Sequence, residues 1–329
     1  MIAERKSTEP AITLAEHERE LVVEHREDAA TDVVTLVLAD PTGADLPAWS
    51  PGAHIDLLLD EDVVRQYSLC GSPANTSTWR IGVLRDPNSR GGSARVHDDL
   101  REGTRVGVRG PRNHFPLVAV PRYQFIAGGI GITPILTMIE AATAAGAEWE
   151  LLYGGRERES MAFLDELDAH GERVTLWPQD EHGLLELDVA LGTPRDDTLV
   201  YCCGPEPLLN AVEASCARWP AGSLHLERFS AKAVTESADA VDAFEVVCQR
   251  SGLTVEVGAD TTILDAVADA GVDVLASCME GVCGTCECAV LEGTPDHRDS
   301  VLTDEEQGAG ALMMICVSRA RSERLVLDI

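Results

Sequence analysis

The sequence predicts a multidomain protein: an antiparallel β-barrel, then an α/β domain with a parallel sheet, then a small C-terminal domain built around clustered cysteines. Three observations carry that expectation. Short runs of strand-like alternation fill residues from about Glu20 to Val120, separated by Gly, Pro, Asn and Asp. From about Pro121 apolar strands alternate with helical segments, the pattern of a parallel sheet. Near the end, "SCMEGVCGTCECAVLEG" (Ser277–Gly293) packs Cys278, Cys283, Cys286 and Cys288 into eleven residues, with Cys316 downstream.

Composition narrows the class before any motif is read. A chain of 329 residues is long enough for two or three domains, each with its own core. Apolar residues make up 45% and charged residues 25%, as in ordinary soluble proteins. No apolar run approaches the roughly 18 residues of a membrane span. The opening "MIAERKSTEPAITLAEHERE" is polar and lacks the apolar core of a signal peptide. A cytoplasmic protein with a mobile tail over residues 1–18 is expected. Ten cysteines in such a chain point to metal or redox chemistry rather than disulfides. The net charge of −30 argues against nucleic acid and against anionic membranes. From Asp242 to Ile329 there are 17 Asp and Glu against 5 Arg, so the C-terminal domain is strongly acidic. A basic patch on a protein partner is its natural complement.

The barrel strands are read at "LVVEH", "DVVTLVLAD", "HIDLLLD", "VRQYSL", "WRIGVL" and "RVGVRG", with one helical piece, "SARVHDDL". Within "RQYSLC", Arg65, Tyr67 and Ser68 offer a cation, a flat ring and a hydrogen-bond donor. A flavin needs those three groups around its phosphate, its ring face and N5. Alone, R-x-Y-S is equally a strand with one buried tyrosine. Further on, Arg90, Gly91, Gly92 and Ser93 stand before the helical piece, where free N–H groups and the positive helix end would cradle a phosphate. A plain helix-initiating turn is the bland reading of that segment.

In the α/β segment "YQFIAGG" reads as a strand, "TPILTMIEAATAAG" as a helix, "EWELLYGG" as a strand and "MAFLDELDAHG" as a helix. Then follow "RVTLW", "TLVYCCG", the helix "EPLLNAVEASCARW" and a closing strand "LHLERF". Gly128, Gly129 and Gly131 would let a pyrophosphate approach the backbone, with Thr133 as N-cap and Pro134 at the first helical position. The run is not a full G-x-G-x-x-G fingerprint. Arg156 and Arg158 follow "ELLYGG", where no carboxylate stands ready for a ribose 2′-hydroxyl. Either arginine would meet a 2′-phosphate or simply be solvated. Cys202, Cys216 and Cys248 read as core residues.

Residues 231–241, small and aperiodic, read as a linker. Beyond it come strands "AFEVVCQ" and "LTVEVG", a helix "TILDAVADAG", the cysteine loop, and strands "CECAVLEG" and "MMICVSRA". Cys278, Cys283 and Cys286 give C-x4-C-x2-C, with 29 residues between Cys286 and Cys316: the plant-type [2Fe–2S] spacing. A four-cysteine zinc site using Cys288 is the rival, but zinc sites pair two short hooks across a longer spacer. Cys288 instead opens a strand alternation, where a free cysteine behaves as a small apolar side chain. Gly281 and Gly284 allow the loop to wrap with N–H groups toward sulfur. His54, His97 and His114 read as surface or flavin-site hydrogen-bonders, and no metal is assigned to them.

Taken together, "CMEGVCGTCECAVLEGTPDHRDSVLTDEE…MMICVSRA" resembles the ferredoxin domain of the phthalate dioxygenase reductase family, the reductase components of Rieske-type oxygenases. The order of segments matches that family over nearly the whole chain. The resemblance implies a flavin barrel at 19–120, a nicotinamide domain at 121–230 and a β-grasp ferredoxin domain at 242–329. It implies Cys278 and Cys283 on an outer iron, and Cys286 and Cys316 on an inner one. "RQYSLC" is similar to the flavin signature of the ferredoxin-NADP reductase superfamily, and "AGGIGITPIL" to its nucleotide loop. Cys203, with Gly204 and Pro205, matches the family cysteine beside the nicotinamide. Glu227 and Phe229 end the domain where the family places groups against the flavin. The Gly-Gly-Ser phosphate site resembles the FMN-using branch more than the FAD-using one, and the family favours NADH over NADPH.

The implied function is an NADH-dependent FMN and [2Fe–2S] reductase, with Ser68 and Cys203 setting hydride geometry. Its acceptor would be a separate oxygenase, of Rieske type or alternatively a cytochrome P450, met by a monomeric shuttle. A redox sensor and a stand-alone flavin reductase are the rivals from other classes.

Overall fold

The computed structural model describes residues 18–60, 63–87, 91–230 and 241–329. The expected tail and linker lie almost wholly outside the described residues, and so does Arg90.

Strands β1 (Glu18–Ala30), β2 (Val33–Ala39), β3 (His54–Asp60), β4 (Val63–Ser68), β5 (Thr78–Leu84) and β6 (Arg105–Arg112) form one sheet. Its order is β4-β3-β6-β1-β2-β5, and the pairings are antiparallel. A bridge between Leu69 and Ile81 joins the two ends of that order and closes the sheet into a barrel. Period-two alternation fills the interior. Leu21 and Val23, Leu36 and Leu38, Ile55 and Leu57, and Ile81 and Val83 are all fully buried. Helix α1 (Gly92–Asp99) adds Val96 to the same core. His97, expected at the surface or the flavin, is instead buried on α1 with Nε2 2.9 Å from the Val83 carbonyl. An apolar neighbour at Val96 and the Val83 carbonyl within reach on β5 explain the difference.

The second sheet comprises β7 (Arg122–Gly128), β8 (Glu148–Gly155), β9 (Val174–Pro178), β10 (Thr198–Cys203) and β11 (Leu224–Glu227). Its order is β11-β10-β7-β8-β9, parallel throughout. Helices α2 (Ile132–Ala144), α3 (Leu164–Asp168), α4 (Gln179–His182), α5 (Leu187–Leu191) and α6 (Glu206–Ser215) connect the strands. Both faces are apolar: Phe125, Tyr153 and Tyr201 pack with Ile135 and Met138 on one side, and Ile126, Val200 and Cys202 with Leu209 on the other. The chain leaves β7 to build β8 and β9 on one side, then returns to build β10 and β11 on the other. A topological switch therefore lies between the C-terminal ends of β7 and β10, where open α/β sheets bind ligands.

The third unit contains β12 (Phe244–Cys248), β13 (Leu253–Val257), α7 (Ile263–Asp269), β14 (Glu287–Glu292), β15 (Pro295–Asp296), α8 (Asp304–Ala309), β16 (Leu312–Met314), β17 (Arg319–Ala320) and β18 (Arg324–Leu327). Its main sheet has the order β13-β12-β18-β14-β16, with β18 parallel to β12 at the centre. Ile263, Leu264 and Val267 of α7 pack into that sheet, the β-grasp layout. Two readings of the sequence are corrected here. "MMICVSRA" is not one strand but β16, a turn over Ile315–Val317 and β17, so Cys316 sits on a turn. The central β18, four residues long, was not anticipated.

The barrel touches both other units. Against the nucleotide domain, Arg80 donates to both carboxylate oxygens of Glu166 at 2.7 and 2.9 Å, and Ser72 Oγ donates to Glu140 at 2.5 Å. Against the C-terminal unit, Ser277 Oγ donates to Asp56 Oδ2 at 2.8 Å.

Candidate functional site

Cross-strand pairing sets Ser68 of β4 opposite His54 of β3, and Arg65 opposite Leu57. Ser68 is 4% exposed and His54 5% exposed. Neither Ser68 Oγ nor His54 Nε2 has a hydrogen-bond partner among the described residues, and nor has Gln66 Nε2. Burying such groups unsatisfied costs about 1–3 kcal/mol each. This end of the barrel therefore fits a ligand with a polar edge, as a flavin ring has. Burial pushes the Tyr67 phenol well above its ordinary range, which suits a ring used for packing rather than ionisation.

Beside these residues, Gly91 takes a left-handed φ of 91° and caps the start of α1. A Cβ on Gly92 would fall 2.4 Å from Arg65 Cγ and 2.7 Å from its Nε. The Arg65 guanidinium thus lies against the N-terminus of α1, so a cation and the helix's free N–H groups face one spot. Ser93 Oγ accepts the Asp86 N–H at 3.1 Å, which ties the first turn of the helix to the end of β5.

At the topological switch the two glycine-bearing loops meet backbone to backbone. A Cβ on Gly131 would fall 2.2 Å from the Cys203 carbonyl oxygen, and one on Gly204 3.0 Å from Gly128 Cα. Gly128 likewise has no room beside Pro205 and Leu208. Gly129 adopts a φ of 54° with open space around it, and Tyr153 donates to its carbonyl at 3.3 Å. The expected cap is corrected: α2 starts at Ile132 after a 3-10 turn over Gly129–Gly131, so Thr133 and Pro134 are its second and third residues. Thr133 Oγ1 donates back to the Ile130 carbonyl at 2.9 Å and serves that turn instead. Arg156 is exposed just beyond β8, and Arg158 Nε lies 3.3 Å from Glu181.

Cys203 is fully buried and pairs in register with Glu227 of β11. Its thiol lies 3.9 Å from Glu227 Oε2. Burial pushes the Glu227 carboxyl up to about 8, the thiol contact opposing that only partly. The side chain is therefore largely neutral near pH 7. An acid whose pKa is raised in the fold weakens the fold as pH climbs from its unfolded value toward the folded one. For Glu227 that window runs from about 4.5 to about 8. Thermal unfolding of wild type and Glu227→Gln should show the wild type losing ground to the variant from pH 5 to pH 8. Parallel melting curves across that range would contradict this. Phe229 follows β11 and is 45% exposed. A crevice of about 730 Å³ between barrel and nucleotide domain lies elsewhere, lined by Cys70, Arg80, Glu140 and Glu166. Its charged groups are engaged in the interdomain pairs described above.

In the third unit, Cys278 contacts the thiols of Cys283 and Cys316, and Cys316 contacts that of Cys286. Backbone N–H groups aim at these sulfurs: Glu280 and Val282 at Cys278 (3.3 and 3.5 Å), and Thr285 at Cys283 (3.4 Å). The Gly281 N–H serves Cys316. Gly281 and Gly284, with φ of 68° and 72°, permit the wrap, as does Met279 at 57°. Among the described residues no three His, Cys, Asp or Glu side chains are grouped as a single ion would hold them. Four thiols met by inward N–H groups fit an anionic iron–sulfur cluster. Cys288 stands apart on β14, its thiol 3.6 Å from the Ala289 carbonyl and nearest in charge to Asp328 and Cys248.

Sequence reasoning did not single out Asp56, Arg112 or Ser277. A carboxylate inside the apolar run "HIDLLLD" was the available signal, since a charge at a buried strand position needs a partner.

Known proteins resemble this chain over nearly its whole length. Residues 246–321 match the 2Fe-2S iron-sulfur cluster binding domain family, and residues 125–214 match the oxidoreductase NAD-binding domain family. The phenoxybenzoate dioxygenase subunit beta of Ectopseudomonas oleovorans is 46% identical over 303 residues, 91% of this chain and 94% of that one. The solved phthalate dioxygenase reductase, described as a modular structure for electron transfer from pyridine nucleotides to [2Fe–2S], is 38% identical. It superposes with a TM-score of 0.68 over 95% of this chain and 98% of its own. An intact type IV self-sufficient cytochrome P450 monooxygenase is 46% identical with a TM-score of 0.89, over 95% of this chain but only 41% of that longer protein. Fold, cysteine loop, nucleotide loops and relatives converge: this chain belongs to the phthalate dioxygenase reductase family, the oxidoreductases that act as reductase components of oxygenase systems.

Proposed function

We propose that the chain takes electron pairs from NADH and delivers them one at a time to a separate Rieske-type oxygenase. The carrying observation is placement: the barrel that bears Arg65, Tyr67 and Ser68 meets the nucleotide domain through Arg80 and Glu166 and the cysteine loop through Asp56 and Ser277. FMN, when bound, supplies the exchange of one hydride for two single electrons, and a [2Fe–2S] cluster supplies a one-electron carrier.

The chain's own residues provide position and electrostatics. Arg65 and the Gly91–Gly92–Ser93 turn, with Arg90 preceding it in the sequence, would hold the phosphate. The Gly-Gly-Ser cradle, similar to that of the FMN-using branch, supports FMN over FAD. Ser68 would donate to N5, and Tyr67 and Phe229 would lie against the ring. Gly128, Gly129 and Gly131 with Thr133, Pro134, Gly204 and Pro205 would seat the dinucleotide, Cys203 lying beside the nicotinamide. Arg158 is held by Glu181, which opposes a 2′-phosphate there and supports NADH; Arg156 would meet the ribose edge. Cys278, Cys283, Cys286 and Cys316 would hold the cluster, and no general acid or base is needed.

Purified protein given NADH anaerobically should bleach its flavin and then develop a reduced-cluster electron paramagnetic resonance signal. A flavin that stays oxidised, or a cluster that never reduces, would remove the proposal. Turnover with cytochrome c separates it from a redox sensor. The P450 module described above favours a second reading, in which the acceptor is a haem domain. Among the described residues no helix is long and apolar enough to cross a membrane.

The acidic C-terminal unit gives docking a salt signature. Exposed charges are screened beyond roughly 10 Å at 0.1 M salt. Electron delivery to the oxygenase should therefore fall about tenfold between 0.05 and 0.5 M salt. A rate that ignores salt would show that charge does not guide the encounter.

A further inference from the structure

Two contacts hold the cysteine loop from its two flanks. Asp56 of β3 is completely buried, and its carboxylate is shared: Arg112 Nη2 donates to Oδ1 at 2.5 Å, and Ser277 Oγ donates to Oδ2 at 2.8 Å. Ser277 immediately precedes Cys278. At the other flank, Gly284 immediately follows Cys283 and is buried with a φ of 72°. A Cβ placed on it would fall 2.4 Å from both Cε1 and Nε2 of His114. The His114 ring, otherwise exposed, therefore rests directly on the loop backbone. Its centroid lies 5.9 Å from that of His54, the residue paired across strands with Ser68. A continuous path of contacts thus runs from the flavin-site serine to the cysteine loop.

We propose that this β3–β6 corner is a socket for the cysteine loop, in which Ser277 and His114 are positioning residues that set the gap electrons must cross. The inference rests on the electron route proposed above. A buried carboxylate that loses one of its donors loses stabilisation. A loop with both anchors gone is free to withdraw, and electron transfer weakens steeply with distance. His114 acts through its flat ring, so a ring of similar size should serve.

The test uses the holoprotein with Ser277→Ala, His114→Ala, the double variant and His114→Phe. In the double variant, amide hydrogen exchange over residues 277–286 should quicken about tenfold, the factor a lost hydrogen bond to a buried carboxylate implies. NADH-driven cytochrome c reduction should fall, because the loop no longer rests at its wild-type distance, with ferricyanide reduction and cluster content unchanged. His114→Phe should behave as wild type in both measurements. Unchanged exchange or unchanged cytochrome c reduction in the double variant overturns the socket and leaves the route standing. So does His114→Phe behaving as His114→Ala. Wild type that fails to reduce cytochrome c overturns the route itself, and with it the gap-setting role, whatever the exchange shows.

Discussion

Cys316→Ser is expected to lose NADH-driven cytochrome c reduction by at least about 100-fold, because second-shell changes alone cost 10–100-fold at such sites and this removes a ligand. Ferricyanide reduction, which needs only the barrel and nucleotide sites, should persist. The asymmetry follows from the fold. Cys316 lies on the turn after β16, within the group formed with Cys278, Cys283 and Cys286, while Arg65, Ser68 and Cys203 belong to other units. Cys288→Ser is the matched control. Its thiol faces the Ala289 carbonyl and the region of Cys248 and Asp328, so a hydroxyl there should cost about 1–3 kcal/mol of stability and spare the cluster's absorbance. A cluster that survives Cys316→Ser but not Cys288→Ser would exchange the two residues' roles.

Much of this was legible in the chain because local chemistry dictates it. Strand alternation in "DVVTLVLAD" and "WRIGVL" emerges as buried Leu36, Leu38, Ile81 and Val83. The spacing of the cysteines and the glycines at the switch point likewise encode their own geometry. What was not legible depends on units meeting. Asp56 reads as a strand residue until Ser277, 221 positions away, supplies its donor. Gly284 reads as a loop glycine, as its φ of 72° requires, and the His114 ring adds a second reason for the absent Cβ that the sequence does not display. Short elements were misread for a different reason. β18 has four residues and β17 two, below the length at which periodicity can be told from chance. The start of α2 was placed too late because Thr and Pro are favoured caps, whereas here a glycine 3-10 turn already starts the helix.

Gly131→Ala should fail at the opposite end of the route from Cys316→Ser. Its added Cβ would stand 2.2 Å from the Cys203 oxygen, 2.4 Å from the Cys203 carbonyl carbon and 2.7 Å from the Gly204 nitrogen. All three are backbone atoms at the end of β10, so no side chain can swing aside. The two loops must part, at a cost of about 1–3 kcal/mol in stability. That parting moves Cys203 and the glycine cradle relative to each other where a dinucleotide would be oriented. A displacement near 1 Å is enough to cost about 100-fold in a transfer step. NADH-driven reduction of ferricyanide and of cytochrome c should therefore fall together by about that factor. Protein reduced beforehand with dithionite and freed of the excess bypasses the nucleotide site, and it should still pass its electrons to cytochrome c at the wild-type rate. Gly129→Ala separates crowding from backbone strain, since φ is 54° there but nothing lies within 4 Å; it should lose about 1 kcal/mol and keep most of its turnover. Wild-type kcat/KM for NADH in Gly131→Ala would mean that contact between the two loops does not position the nucleotide.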